Sequence, residues 1–300
     1  MSLTAVGALG VGLVLDTVFE EFPQRVHPVA LFGRVVAPLD RSWSHPRFVG
    51  ATIALCLPIG AAVVAGFATA LVVAANPAVG GVVAGLVVFA TTSLARLVSV
   101  AEDVIDLTAT DPAAARGSIR ALVGRKTDDL TPAQLRSAAV ESAAENLADG
   151  LVAPLVAFAL GARVSLAVGV AGAVWVKAVN TLDSMLGYRS KPVGGASARL
   201  DDLVMWVPAR ASAVLLAVAG RSPRALLQAQ KWSHSPTSPN SGWPMATLAT
   251  ALDVRLEKRG AYVLNPDTDL PSVERAHEGV RVVGIAGLGA FALAGMIAWF

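Results

Sequence analysis

The sequence predicts an all-α, polytopic integral membrane protein, and three observations support this. The chain of 300 residues is 54% hydrophobic and only 15% charged, whereas a soluble domain is about 25% charged. Residues 48–95 contain no Asp, Glu, Lys, Arg or His, which is enough for two spans of about 20 residues. A second uncharged stretch, Val282–Phe300, includes Trp299, a residue suited to the bilayer interface. We therefore expect about five spans, within a range of about four to seven.

The first half of the chain supplies a retained helix and a helical hairpin. Met1–Leu15 is apolar, has no basic start and is followed by Asp16, so it is typical of a membrane helix rather than a cleaved signal peptide. Val49–Ala75 and Val79–Leu94 are predicted to cross the bilayer in opposite directions. The segment "NPAVGG" between them is rich in turn residues.

The second half contains two interrupted apolar stretches. Gly150–Val176 is broken by proline, glycine and arginine, so it is either one kinked span or two re-entrant pieces. Leu203–Gly220 is interrupted by Pro208 and Arg210. Polar segments alternate with the apolar stretches, which favours a single membrane-embedded domain over residues 1–300. These polar segments are 16–47, 101–149, 182–202 and 221–281.

Composition also excludes several classes of function. The net charge is +2 and no basic run has interleaved aromatic residues, which argues against nucleic-acid binding. The sequence has no P-loop, no nucleophile elbow and no His-Glu-x-x-His motif. Its lone cysteine, Cys56, is expected to be a small buried side chain. Residues 221–281 contain more bases than acids, so the positive-inside tendency places them in the cytoplasm.

One polar helix is predicted in detail. Thr131 is a suitable N-cap, Pro132 suits the first helical position and Gln134 completes a capping box. Gly150 is expected to end the helix.

This helix carries three acids at intervals of four residues, Glu141, Glu145 and Asp149. In a regular helix they share one stripe, where like charges repel by about 0.2–0.5 kcal/mol per pair. Two interpretations are open: a solvated helix face, or a magnesium- or phosphate-associated site in which a cation removes the repulsion. Asn146 adds an uncharged donor and acceptor beside Glu145.

Two further polar motifs adjoin apolar runs. Lys177, Asn180 and Asp183 repeat every three residues and lie near one another on a helix. They predict either a functional cluster or a snorkelling lysine with a helix cap. The second motif comprises Arg199, Asp201, Asp202 and Arg210, with Ser197 as a candidate N-cap.

Two loops supply the remaining candidate residues. "RVHPVALFGR" contains His27 and Arg34, and His27 before a proline indicates an extended turn. "SHSPTSPNSGWP" is either an ordinary surface loop or a binding loop in which Asn240 faces a ligand.

Five stretches in this order resemble the adenosylcobinamide-phosphate synthase family, the CobD/CbiB membrane proteins of cobalamin biosynthesis. The resemblance covers nearly the whole chain, and the stretches are "HPVALFGR", "ESAAENLADGLVAPL", "KAVNTLDSMLGYRS", "ARLDDLVMWVPAR" and "SPNSGWP".

The resemblance implies a multi-pass protein of the cell membrane that forms an amide bond at the expense of ATP. The expected substrates are adenosylcobyric acid and (R)-1-amino-2-propanol or its O-phosphate, with Mg²⁺ as the metal ion. It leaves homo-oligomerisation open. A non-catalytic membrane sensor of the related β-lactamase-induction branch and a corrinoid transporter are the alternative functions.

With the resemblance, the candidate residues take three kinds of role. The catalytic candidates are Glu141, Glu145, Asp183 and Lys177. The substrate-binding candidates are His27, Arg34, Asn146, Asn180, Tyr188, Arg199 and Asn240. The metal-binding candidates are Asp149, Asp201 and Asp202.

The sequence departs from the family pattern in places. "TVFEEFP" replaces an early Gly-Asp-Pro, Lys126 replaces an acid, Met245 replaces a Glu, and "LEKRGAY" replaces a Gly-Gly turn. No role is expected for these positions.

Overall fold

The computed structural model describes residues 2–23, 25–124, 127–188 and 191–300. Among them, six helical segments are long and apolar enough to cross a membrane: Ser2–Phe19, Pro46–Ala75, Pro77–Thr110, Pro132–Ala162, Leu166–Leu186 and Val273–Trp299. A pair of helices bent by 47°, Pro192–Val204 and Trp206–Ala219, makes a seventh candidate. The prediction of a polytopic helical membrane protein is therefore confirmed.

The described helices and strands follow one another with short connections. The helices of the first half are α1 (Ser2–Phe19), α2 (Pro28–Val36), α3 (Pro46–Ala75), α4 (Pro77–Thr91), α5 (Ala95–Thr110), α6 (Pro112–Ser118) and α7 (Pro132–Leu147). Those of the second half are α8 (Ala153–Ala162), α9 (Leu166–Leu186), α10 (Gly195–Val204), α11 (Trp206–Ala219), α12 (Pro223–Ala229), α13 (Gly242–Leu252) and α14 (Val273–Trp299). The strands are β1 (Leu256–Lys258) and β2 (Tyr262–Leu264).

A first compact unit consists of Met1–Ser93, Asp149–Met205 and Phe291–Phe300. In it α9 packs against α3, α4, α8 and α10, and α1 packs against α4. Helices α8 and α9 approach so closely that a Cβ on Gly169 would lie 2.8 Å from the carbonyl oxygen of Phe158. Small residues allow such close packing where lipid, rather than water, surrounds the helices.

A second compact unit consists of Leu94–Ala148 and Trp206–Ala290. Here α7 packs against α5 and α13, and α13 packs against α11 and α12. The antiparallel hairpin of β1 and β2 pairs Leu256 with Leu264 and lies on α7. The hydroxyl of Ser137 on α7 accepts a hydrogen bond from the backbone N–H of Glu257 (2.9 Å), which fixes the hairpin there.

The start of α7 is as predicted, but its end is not. Thr131 and Gln134 form the capping box. Gly150 does not stop the helix, because a π-helical turn, Ala148–Val152, carries the chain into α8. A glycine ends a helix where the chain must turn back, and here apolar residues continue in the same direction.

Three other local predictions are wrong. Gly150–Val176 is neither one kinked span nor two re-entrant pieces, since its halves belong to separate spans that end at Ala162 and begin at Leu166. Ser197 lies inside α10 instead of capping it. Cys56 is exposed on α3; an apolar side chain on a membrane span is as well solvated by lipid as by protein.

Candidate functional site

In the first unit, the polar side chains of α9 lie among acids from other segments. Lys177 is half-buried and interacts electrostatically with Asp149, in the π-helical turn, and with Glu21, after α1. A cation flanked by two carboxylates is stabilised in its charged form and held in place. Lys177 is thus part of a charge cluster, which we call the Lys177 cluster: Glu21, His27, Asp149 and Lys177.

His27 belongs to this cluster through both ring nitrogens. It is extended, as the sequence predicts, and caps α2 with Nδ1, which accepts a hydrogen bond from the N–H of Val29 (3.1 Å). Its Nε2 lies 3.4 Å from Oε1 of Glu21. Because Nδ1 is the acceptor, the hydrogen of a neutral ring is assigned to Nε2, which points to Glu21.

Burial lowers the pKa of His27 below its ordinary value of 6.5, Glu21 opposes this shift, and Lys177 adds to it. His27 is therefore neutral at neutral pH. A neutral ring with Nδ1 occupied and Nε2 protonated orients the Glu21 carboxylate and is poorly placed to accept a proton.

Asp183 faces a different acid. It interacts electrostatically with Asp202, which lies on α10 where that helix packs against α9. Gly187 leaves room for the Asp183 side chain, because a Cβ there would overlap Oδ1. Two neighbouring carboxylates repel each other, and a divalent cation between them would remove the repulsion. Asp201, beside Asp202, is buried.

The cationic candidates of this unit are more exposed. Arg34 and Arg199 are exposed, and neither forms an ion pair with another residue that the structure describes. Asn180 is half-buried, and Tyr188 is exposed with Lys191 Nζ 5.0 Å from the centre of its ring. The two arginines are therefore accessible to an anionic ligand.

In the second unit, the acids of α7 are not solvated. Glu141 is only 5% exposed and Glu145 is half-buried, so a solvated acidic face, one of the two interpretations, is wrong. Asn146 donates to the backbone oxygen (2.9 Å) and the hydroxyl (3.1 Å) of Ser142.

The π-helical turn also alters the expected acidic stripe. It begins at Ala148, and a π turn contains one more residue than an α turn. Asp149 is therefore rotated relative to the stripe of Glu141 and Glu145 that a regular helix would continue. Such turns occur frequently at functional sites.

The Ser-Pro loop of the second unit is held by Arg210. The Arg210 guanidinium donates to Oδ1 of Asn240 and to the backbone oxygen of Pro239 (3.1 Å). It also lies 4.7 Å from the ring of Trp206 and 5.2 Å from that of Trp243. Asn240 is 3% exposed, so its side-chain oxygen serves to hold the loop.

Two of these residues were not identified as site residues by sequence reasoning. Glu21 lies in the segment where the family pattern is lost, and nothing in its spacing indicates that the chain returns it to His27. Arg210 was noted only as part of a motif. Its distance of 30 residues from Asn240 along the chain hides their contact. Lys126 lies outside the described residues.

Among the described residues, no group of three or more His, Cys, Asp or Glu is arranged to hold a metal ion. The pairs that do form are Asp183 with Asp202 and Glu21 with His27. Mg²⁺ needs no more than one or two protein carboxylates when substrate phosphates complete its shell. The donor set of Asp183 and Asp202 fits that mode.

Comparison with known proteins gives one consistent result. The model of the family described as "CobD/Cbib protein" matches residues 9–284. The chain is 36% identical to a probable cobalamin biosynthesis protein CobD of Methanothrix thermoacetophila, over 91% of this chain and 90% of that protein. It is 40% identical to the cobalamin biosynthesis protein CobD of Mycobacterium tuberculosis strain H37Rv, over 84% and 80% of the two chains. No solved structure matches the chain.

Proposed function

Because the chain belongs to the CobD/CbiB family of cobalamin biosynthesis proteins, we propose that it joins adenosylcobyric acid to an amine through an amide bond. The amine is (R)-1-amino-2-propanol or its O-phosphate, the product is adenosylcobinamide or its phosphate, and ATP activates the acid. The observation that carries the proposal is the Lys177 cluster, in which one cation lies among carboxylates beside a neutral histidine.

The reaction needs activation because a carboxylate is a poor acyl donor. In the proposed first step, a carboxylate oxygen of the corrinoid attacks the terminal phosphorus of ATP, which forms an acyl phosphate and releases ADP. The neutral amine then attacks the acyl carbon. The new C–N bond forms as the C–O bond to phosphate breaks, and phosphate leaves with the electron pair.

The amine loses two protons on the way from ammonium to amide. We assign the first to a carboxylate base of the site, while the second leaves with the phosphate. Glu21 is favoured as that base, because His27 orients its carboxylate and its side chain is 36% exposed. Glu141 and Glu145 remain catalytic candidates on α7.

The cations stabilise the negative charge that accumulates on the phosphates. Lys177 supplies a point charge within the cluster. Arg34 and Arg199 are exposed, and an arginine can bind a phosphate through two parallel hydrogen bonds. We assign one of them to the phosphate of the amine substrate.

Mg²⁺ is implied by the family, and Asp183 with Asp202 would hold it, with Asp201 adjacent. When bound, it would neutralise charge on the phosphates. The repulsion between the two carboxylates supports this assignment.

The test is a reconstitution. Purified protein in lipid nanodiscs is incubated with adenosylcobyric acid, ATP, Mg²⁺ and either amine, and products are identified by mass spectrometry. We expect the mass of the amide with at least one amine. A folded protein that forms no amide with either amine would refute the proposal.

A matched pair of variants tests the site within the same assay. Asp183→Asn removes one carboxylate of the proposed metal pair, whereas Asp267→Asn makes the same change at an exposed aspartate. We expect Asp183→Asn to lose turnover and to need more Mg²⁺, with Asp267→Asn unchanged. Equal activity of the two variants would remove Asp183 from the site.

A further inference from the structure

A lateral cavity in the first unit has no part in the proposed chemistry. It has a volume of about 580 Å³ and lies between α2, α3, α4 and α9. Its lining is almost entirely apolar, and the polar side chains that reach it are Thr91, Lys177 and Thr181. A cavity of this volume is large enough for a ligand of moderate size.

The cavity is elongated along α3. Its lining includes residues of this helix from Cys56 to Ala68, a distance of about 18 Å at 1.5 Å per residue. The hydrocarbon core of a bilayer is about 30 Å thick, so one leaflet accounts for about 15 Å. The cavity is thus about as long as one acyl chain in its leaflet.

The two ends of the cavity differ in polarity. Helix α9 runs antiparallel to α3, because Leu182 shares a cluster with Ile53 whereas Gly66 meets Ala171. Lys177 and Thr181 are therefore nearer the Cys56 end. The Ala68 end is lined by apolar side chains.

The cavity opens to the surroundings of the helices. Val64, which lines it from α3, is 70% exposed, and Val35, which lines it from α2, is 57% exposed. Since α3, α4 and α9 belong to membrane spans, the material that meets this opening is lipid.

We propose that this cavity holds one acyl chain of a bilayer phospholipid as a resident ligand. Its ester end lies toward Lys177 and Thr181, which offer hydrogen-bond donors to ester oxygens, and its methyl end lies toward Ala68. The apolar lining, the length of the cavity and the polarity of its ends all match this occupant. The proposal does not rest on the amide-forming activity.

The test uses a phosphatidylglycerol that carries a diazirine at the methyl end of one acyl chain. The full chain is reconstituted into nanodiscs with this lipid and irradiated, and cross-linked peptides are mapped by mass spectrometry. We expect several-fold more adducts around Ala68 than on the exposed face of α1 at Val14 and Val18. A diazirine near the ester should move the excess toward Cys56.

Glycine provides a matched pair of variants. A Cβ at Gly60, which lines the cavity, or at Gly10 on α1 would meet no atom within 4 Å, so both positions tolerate a larger side chain. Gly60→Leu fills the cavity and should abolish the excess labelling. Gly10→Leu should leave it unchanged.

Three outcomes would overturn the proposal. Adducts could be as frequent on α1 as in the cavity of the wild-type protein, or the excess could persist in Gly60→Leu. Native mass spectrometry could instead find a corrinoid or detergent bound there in place of phospholipid. If Gly60→Leu does not fold, Cys56→Phe fills the same end one helical turn away, and the wild-type comparison stands alone.

Discussion

At the scale of single residues, the Lys177 cluster shows how one histidine can prepare a carboxylate. His27 uses Nδ1 to cap α2 and Nε2 to approach Glu21. Its ring is therefore fixed by the backbone at one side, and its N–H fixes the carboxylate at the other. The residue whose chemistry matters most is then Glu21, which spacing alone does not identify.

Glu21→Gln keeps the size of the side chain but removes its charge and its capacity to accept a proton. Interactions of a charged group contribute about 1.5–3 kcal/mol, so we expect kcat/KM for amide formation to fall by about 10- to 150-fold. Glu102→Gln, at an exposed glutamate, should keep wild-type activity. An unchanged pH–rate profile in Glu21→Gln would show that Glu21 is not the base.

His27 should make stability depend on pH in a defined direction. Its pKa is lowered by burial from 6.5, so between the folded value and 6.5 the unfolded chain binds more protons than the folded protein. Stability from this group is therefore fully present above pH 6.5 and is lost as the pH falls through that window.

The comparison is with His27→Asn, which can still cap α2 but does not titrate. Thermal unfolding between pH 7.5 and 5.5 should destabilise the wild type relative to the variant as the pH falls. A constant difference in Tm across this range would contradict the assignment of a neutral His27.

At the scale of elements, the Ser-Pro loop depends on a helix that precedes it. Arg210 of α11 contacts Asn240, Pro239 and the ring of Trp243. The planar guanidinium can donate to two oxygens while it stacks on a ring, which a lysine cannot do. The loop and the start of α13 are thereby joined to α11.

Arg210→Lys should loosen this loop while the helices remain intact. The loss of charge-assisted hydrogen bonds, about 1.5–3 kcal/mol, should increase amide hydrogen exchange in residues 233–244 by about 10- to 150-fold. Arg224→Lys, at an exposed arginine of α12, serves as the control. Exchange that rises equally in both variants would argue against this role of Arg210.

The elements that could be predicted from the sequence are those with local signals. The capping box at Thr131 and the uncharged runs specify helices by themselves. The continuation through Gly150 and the split of residues 150–176 were missed, because both depend on which helix packs beside the segment. In the site, residues on one helix could be grouped, whereas Glu21 with His27 and Arg210 with Asn240 meet through the tertiary fold.

At the scale of the whole molecule, the bent pair α10 and α11 decides the topology. Four membrane spans separate Ser44 from Ser235 if the pair re-enters, and the two residues then lie on one side. If the pair crosses, a fifth span puts them on opposite sides. We predict re-entry, because the predicted site needs its polar motifs at one membrane face.

Single cysteines at these two exposed positions, in a Cys56→Ala background, test the prediction with a membrane-impermeant maleimide. We expect both to be labelled from the same side of sealed vesicles. Labelling from opposite sides would establish seven spans and refute a single shared face. The single-domain organisation stays a prediction.

The π-helical turn at Ala148–Val152 has a consequence for how this span tolerates change in length. Removing one residue from a regular helix turns everything beyond it by about 100°, so most deletions between Pro132 and Ala162 would misalign one flank. A π turn already contains a surplus residue. Deletion of Gly150 would convert it to a regular turn and leave α7 and α8 in their present orientations. The span thus has one position where its sequence can shorten without losing alignment, and it lies next to Asp149.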